Sequence, residues 1–215
     1  MSKSICALVH KPGSTREAFQ RYYEDNHAPL AVGLFPFSAY VRNHLVDPGA
    51  FGWDTISEFW SEDIAEAASL MNGPIGDTMR ADEERFMDRS RIAPGGAQET
   101  ILSHGPQADE EGRRTCLLLD AGAADVERFR GWAAALAHHV SGVSIDFVTP
   151  WKQPHFPAAA VAWVPGWDVP LDVPPALRIT MLKARRIETP RAMLLSQVGW
   201  PGRNRLRHGA DQDRN

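Results

Sequence analysis

The sequence predicts an α+β protein made of two copies of one unit, and three observations support this fold class. The first hundred residues alternate apolar runs with helical patterns in the order β-α-β-β-α-β, the ferredoxin-like pattern. A second series of elements follows a polar, glycine-bearing linker at residues 104–114. Cys6 and Cys116, like Phe19 and Phe129, stand 110 positions apart in the two series. The predicted organisation is one copy at residues 1–104, a degenerate copy at 114–190 and a polar tail at 191–215.

The first copy has a local signal for each of its elements. Residues 4–10 form an apolar run that ends at a Lys-Pro-Gly turn, and the next helix opens with a capping box of Ser14 and Glu17. Because Pro29 disfavours the helical conformation at Ala28, we expect that helix to end there. The other predictions for this copy are strands at residues 38–46, 55–60 and 97–103 and helices at 61–71 and 77–87.

The second copy repeats the pattern with one helix missing. Residues 165–175 are too rich in proline to form the second helix. Each sheet has one face covered by helices, so its other face needs an apolar partner. We therefore expect tandem ferredoxin-like repeats that form an α/β barrel, closed either within one chain or between two chains. The elements predicted for this copy are strands at residues 115–121, 143–149, 158–164 and 177–187 and a helix at 124–140.

Composition and charge exclude several function classes. The 215-residue chain has 43% hydrophobic residues and a formal net charge of −4, as expected for an ordinary soluble protein. It has no basic run in its body and no apolar run near the roughly 18 residues of a membrane helix, so we expect neither nucleic acid nor membrane as a partner. Cys6 and Cys116 lie in apolar runs and predict buried thiols in a reducing, cytoplasmic compartment. No Cys/His spacing predicts a metal site.

His27 is the strongest candidate for a catalytic residue. Tyr23 and His27 stand four positions apart and share one face of the predicted helix. An imidazole can give and take a proton near neutral pH, which suits general acid–base catalysis. The alternative is a helix-end histidine that bonds to a neighbouring strand. Because Ala137 stands at the equivalent position of the second copy, we expect only the first copy to hold an active site.

Two strands of the first copy carry further candidates. Glu58 and Trp60 share one face of the strand at residues 55–60. If that face lines an apolar interior, burial would raise the pKa of Glu58 and make it a usable acid or base. On the strand at 38–46, Arg42 could bind a substrate carboxylate or instead pair with Glu58 across the strands. Which face of each strand lines the cavity is left open. The residues that alternate on this second strand are Tyr40, Arg42 and His44 on one face and Val41, Asn43 and Leu45 on the other.

The segment Tyr22-Tyr23-Glu24-Asp25-Asn26-His27-Ala28-Pro29-Leu30 resembles the signature of EthD-domain proteins, which belong to the dimeric α/β-barrel superfamily. Further matching segments lie at residues 40–44, 54–60 and 82–90, so that the resemblance covers residues 3–102. It implies a homodimer and a barrel with a mostly apolar interior. It also implies that catalysis requires no cofactor.

The function we predict from these residues and this resemblance is a cofactor-free decarboxylase for a small aromatic or polyketide-like carboxylic acid. His27 would protonate the carbon that loses CO2, or ionise a phenol, and Glu58 would assist the proton transfer. Arg42 or His44 would bind the carboxylate. The alternatives are a non-catalytic small-molecule-binding barrel and a cofactorless monooxygenase, dehydratase or cyclase. The remaining predicted substrate contacts are Trp60, Tyr40, Asn43, Tyr23, Trp163 and His155.

Overall fold

Eight strands form the sheet within the residues that the computed structural model describes, which are 1–120, 125–169 and 172–195. All neighbouring strands are antiparallel. The strands are β1 (Ser2–Leu8), β2 (Ala39–Val46), β3 (Thr55–Ser61), β4 (Ala93–Ile101), β5 (Arg113–Asp120), β6 (Ser144–Pro150), β7 (Ala158–Pro165) and β8 (Ile179–Glu188).

The strands close into one barrel in the order β1-β3-β2-β8-β5-β7-β6-β4. Within each copy the order is the same, with the last strand beside the first, as in a ferredoxin-like sheet. The β2–β8 and β4–β6 pairs join the two sheets. The predicted fold class is confirmed, and the barrel closes within a single chain. Closure therefore does not depend on the predicted homodimer, which stays a prediction.

The helices lie on the outside of the barrel and are concentrated on the first copy. Phe129 anchors the second copy's long helix on its sheet, and the described residues between β7 and β8 contain no helix, as the prolines predict. Residues 191–195, predicted as part of a frayed tail, form a short helix, and residues 196–215 lie outside the described part. The helices are α1 (Arg16–Tyr22), α2 (Ala28–Leu34), α3 (Ile64–Ser69), α4 (Pro74–Phe86), α5 (Val126–Ala137) and α6 (Arg191–Leu195).

The first helix does not end at Ala28, contrary to the sequence-based expectation. After α1 the backbone forms a π-helical turn, Tyr23–His27, in which the Ala28 N–H donates to the Tyr23 carbonyl. This wider turn shifts the hydrogen-bond register, so Pro29 falls in the first turn of α2, where its missing N–H costs little. His27 therefore lies in the middle of a continuous helical segment.

Residues 110 positions apart in the two copies are structurally equivalent in the first helices but not in the first strands. Phe19 and Phe129 each lie fully buried between a helix and its sheet. Cys6, however, faces the helices, whereas Cys116 faces the barrel interior. The two cysteines are thus not equivalent, because a shift of one residue turns a strand's side chains to the opposite face.

None of the helices in the described part of the chain has the length and apolar character needed to cross a bilayer.

Candidate functional site

A cavity of about 540 Å³ lies on the outer face of the first copy's sheet, beneath the helices. Its volume is within the range of small-molecule sites. We call it the helix-side cavity. Its wall is largely apolar and aromatic, and the residues that form this part include Cys6, Leu8, Tyr23, Ala31, Phe35, Phe37, Phe59, Ala67, Met71, Met79, Met87 and Ile92.

His27 lines this cavity and forms a dyad with Asp82 of α4. The His27 Nδ1 lies 2.8 Å from Asp82 Oδ2, and both side chains are more than nine-tenths buried. The hydrogen bond from His27, with a second from the Tyr22 hydroxyl at 2.8 Å, lowers the pKa of Asp82 despite its burial. Because an ionised carboxylate can only accept, Nδ1 carries the proton of this bond. Nε2 is then the ring nitrogen left for a molecule in the cavity.

Aromatic neighbours hold the imidazole of His27 in place. Its ring centroid lies 4.9 Å from that of Tyr23 and 5.1 Å from that of Phe86. The π-helical turn, a feature often found at functional sites, carries both His27 and Tyr23. The local backbone and the packing therefore fix the ring before any ligand binds.

Asp82 was not among the sequence-based candidates, although the sequence holds a signal for it. Met79, Asp82 and Phe86 follow one another at helical spacing on the buried face of α4. A carboxylate within such an apolar stripe needs a partner, since an unpaired buried charge is costly.

Arg42 and His44, predicted to bind a substrate carboxylate, are occupied by Glu24 instead. Arg42 Nη2 lies 2.6 Å from Glu24 Oε2, and His44 Nε2 lies 2.7 Å from Glu24 Oε1. Tyr40 donates its hydroxyl proton to Tyr23 at 2.7 Å. Tyr40, Arg42 and His44 are on the same side of the sheet as His27, but none of them lines the helix-side cavity.

Replacement of Glu24 with glutamine is expected to remove about 2 kcal/mol of stability near pH 6, after allowance for partial exposure. Burial opposes ionisation of Glu24, but His44 and Arg42 outweigh it and lower its pKa from 4.5 to about 2. A lowered carboxyl pKa stabilises the fold above the unfolded-state pKa, and this contribution disappears as the pH falls towards 2.

Urea unfolding of both proteins from pH 6 down to pH 2 would measure the effect. The difference between wild type and Glu24→Gln should shrink as the pH falls. The exposed Glu110, changed to glutamine, is the control and should track the wild type. A pH-independent difference would contradict the assignment.

Glu58, Trp60, Asn43 and Trp163 face the barrel interior, on the other side of the sheet from His27. Asn43 donates to Glu58 at 2.8 Å, and Trp163 donates to Asp146 at 2.6 Å. The expectation that Glu58 assists His27 in one cavity does not fit this placement. Nor does Arg42 pair with Glu58, because Arg42 lies opposite Ser57 and shares the face of that residue.

The barrel interior is filled by an apolar core, and it also contains a buried ionic cluster. Lys3 Nζ lies 2.7 Å from a carboxylate oxygen of each of Glu58, Glu99 and Asp146. Arg114 Nη1 lies 2.7 Å from the other oxygen of Glu58. Burial opposes ionisation of Glu58, but Arg114 and Lys3 outweigh it and lower its pKa. The expected rise in that pKa is therefore wrong, and this carboxylate stays ionised at neutral pH.

Within the described residues, the three carboxylates of this cluster lie close enough together to hold a metal ion. Their ligand oxygens lie within 4.8 Å of one another, but the Lys3 ammonium sits among them and takes the place of a cation. Trp60 lies at the edge of the cluster, where its indole N–H donates to Glu99 at 3.2 Å.

The remaining sequence predictions concern His155, a candidate substrate contact, and the two cysteines, predicted as buried thiols. His155 is exposed and bonds to Gln153 at 2.8 Å, in the loop between β6 and β7. Cys6 lines the helix-side cavity, but burial raises its pKa to about 12, so it stays a thiol at neutral pH. The same cause raises the pKa of Cys116 to about 12.

Comparison with known proteins confirms the EthD resemblance. Residues 11–90 match the model of the EthD domain. An anthrone oxidase-like protein of known structure is 12% identical over 87% of this chain and 92% of its own, with a TM-score of 0.54. An ethyl tert-butyl ether d (EthD) family protein from Bacillus halodurans C-125 is 18% identical over 44% of this chain and 97% of its own, with a TM-score of 0.34. No curated protein matches the chain significantly.

Proposed function

We propose that this protein is a decarboxylase that acts on a small aromatic or polyketide-like carboxylic acid in the helix-side cavity. The observation that carries the proposal is the His27–Asp82 dyad, which places one available imidazole nitrogen in an apolar compartment. A bound aromatic ring would pack against the aromatic wall that Phe37 and Phe59 help to form.

Loss of CO2 from an acid requires two conditions that this cavity meets. The carboxylate must leave water, and apolar surroundings favour its conversion into neutral CO2. The carbon that keeps the bonding electrons must then receive a proton. In the proposed reaction the C–C bond breaks, CO2 departs, and protonated His27 donates from Nε2 to the carbanion. The neutral imidazole then regains a proton from solvent.

The negative charge of Asp82 supports this cycle. A fixed carboxylate at Nδ1 stabilises the protonated imidazole before the transfer and keeps its other nitrogen directed at the substrate. A carrier protein would need the apolar wall but not the dyad, so the dyad favours an enzyme over a carrier.

Product analysis with the purified protein tests the proposal. The substrates would be a panel of hydroxybenzoates, hydroxynaphthoates and longer polyketide-like acids, with CO2 measured in the headspace and O2 by electrode. We expect one CO2 and one decarboxylated product for each substrate consumed, with no uptake of O2. Substrate loss with O2 uptake would indicate an oxygenase instead, and binding without turnover would indicate a carrier.

A further inference from the structure

We infer that the degenerate second copy forms the specificity-determining end of the helix-side cavity, through Trp151 and Lys152, and that the substrate carries an anionic group which the reaction leaves in place. This inference rests on the proposed function, because it names the substrate class of the same site. The other residues that line the cavity belong to the first copy, so these two side chains are the second copy's contribution among the described residues.

Backbone contacts hold this part of the second copy against the first. Trp151 directly follows β6, and its N–H donates to the carbonyl of Pro94 at 3.1 Å. Its indole lies over Gly96 of β4, where an added Cβ would stand only 3.2 Å from the indole Nε1. Trp151 is 47% exposed, which leaves aromatic surface free at the cavity edge. A planar ligand can pack on this surface.

Three side chains in the described cavity lining are cationic: Arg80, Arg89 and Lys152. Of these, Lys152 alone has no carboxylate partner among the described residues. Arg80 Nη2 lies 2.6 Å from Asp77, and Arg89 Nε lies 3.1 Å from Glu83. No carboxylate of the described residues lies within 4.0 Å of the Lys152 ammonium, although this side chain also lines the cavity. An anion at this end of the cavity would therefore meet an available cation.

The anion that Lys152 binds cannot be the carboxylate that is lost. A reacting carboxylate held by an ammonium group would be stabilised in the ground state, which opposes its departure. Of the two residues, His27 is buried, whereas Lys152 is exposed. The substrate class that fits both residues is a planar acid with a second anionic group, either another carboxylate or an ionised phenol.

Equilibrium binding of two probes tests this inference without any turnover. The probes are 2-naphthoate, which carries one carboxylate on a planar ring system, and 2-naphthamide, its uncharged isostere. Calorimetry on the wild-type protein should show a preference for 2-naphthoate. In Lys152→Met we expect about fivefold weaker binding of 2-naphthoate and unchanged binding of 2-naphthamide. Lys152→Arg should retain most of the preference.

The matched control is Lys183→Met, which removes an exposed lysine that does not line the cavity and should leave both affinities unchanged. The inference is overturned if wild type binds neither probe, if it shows no preference for the anion, or if Lys152→Met keeps the preference. If the preference depends on Lys152 but no acid in the panel is decarboxylated, the proposed function fails, while the role of Lys152 in binding an anion in the cavity stands.

Discussion

Replacement of Lys3 with methionine is expected to lower the free energy of unfolding by about 3 to 5 kcal/mol, the cost of removing one partner from a buried ion pair. The side chain is 3% exposed and contacts three carboxylates at 2.7 Å. Methionine fills a similar volume but supplies no charge. Glu58, Glu99 and Asp146 would then share one cation, Arg114, which contacts only the first of them.

The pKa shifts within the cluster indicate how the stability of Lys3→Met would depend on pH. Burial and the charge of Glu58 raise the pKa of Asp146, although Lys3 lowers it. Without Lys3 that pKa should rise further, so Asp146 would take up a proton during folding. A group whose pKa is raised in the folded state gives stability below its unfolded pKa and loses it as the pH increases. We therefore expect the damage in Lys3→Met to grow between pH 4 and pH 7.

Guanidinium unfolding at both pH values measures this prediction, with Lys183→Met as the control for the loss of an exposed lysine. A second variant, Lys3→Met combined with Asp146→Asn, should recover part of the loss because one buried charge is removed together with its partner. A loss under 1 kcal/mol in Lys3→Met, or no recovery in the double variant, would show that the cluster does not stabilise the barrel.

Lys3 also shows how far the sequence alone could determine the fold. Short apolar runs between turn signals predicted β1 and most of the other strands, and side chains of alternating faces were assigned to β2 and β3. Neither pattern shows which face of a strand points into the barrel. Lys3 alternates with Ile5 and Ala7, and these two residues pack in the barrel interior, so the lysine had to be buried once the face was known.

The candidate site was predictable where it depended on local sequence and not where it depended on distant contacts. His27 follows from its helical face and from the motif around it. Asp82 lies 55 residues away on another helix, and Lys152 comes from the second copy altogether. The candidates on the strands do not share one site, because Glu58 and Arg42 lie on adjacent strands but on opposite faces of the sheet. The sequence did not predict the π-helical turn, because a proline at the position of Pro29 ordinarily ends a helix.

His27→Gln is expected to lower kcat by about 10³-fold and Asp82→Asn by about 10²-fold, within the range for general acid–base groups and the residues that orient them. Glutamine keeps a polar side chain but cannot pass a proton. Asparagine can still accept the Nδ1 proton but carries no charge to stabilise the protonated imidazole. Because Asp82 acts through His27, its variant should lower kcat while KM and the affinity for 2-naphthoate stay near the wild-type values.

A matched pair elsewhere in the chain provides the control. His10 Nδ1 lies 2.6 Å from Asp54 Oδ2, which repeats the dyad geometry, but neither residue lines the helix-side cavity. His10→Gln should keep the wild-type kcat even if it loses some stability, since only an imidazole within the cavity can reach the substrate. Equal losses in His10→Gln and His27→Gln, measured on folded proteins with the same acid, would mean that histidine–aspartate pairs stabilise this fold and that His27 transfers no proton.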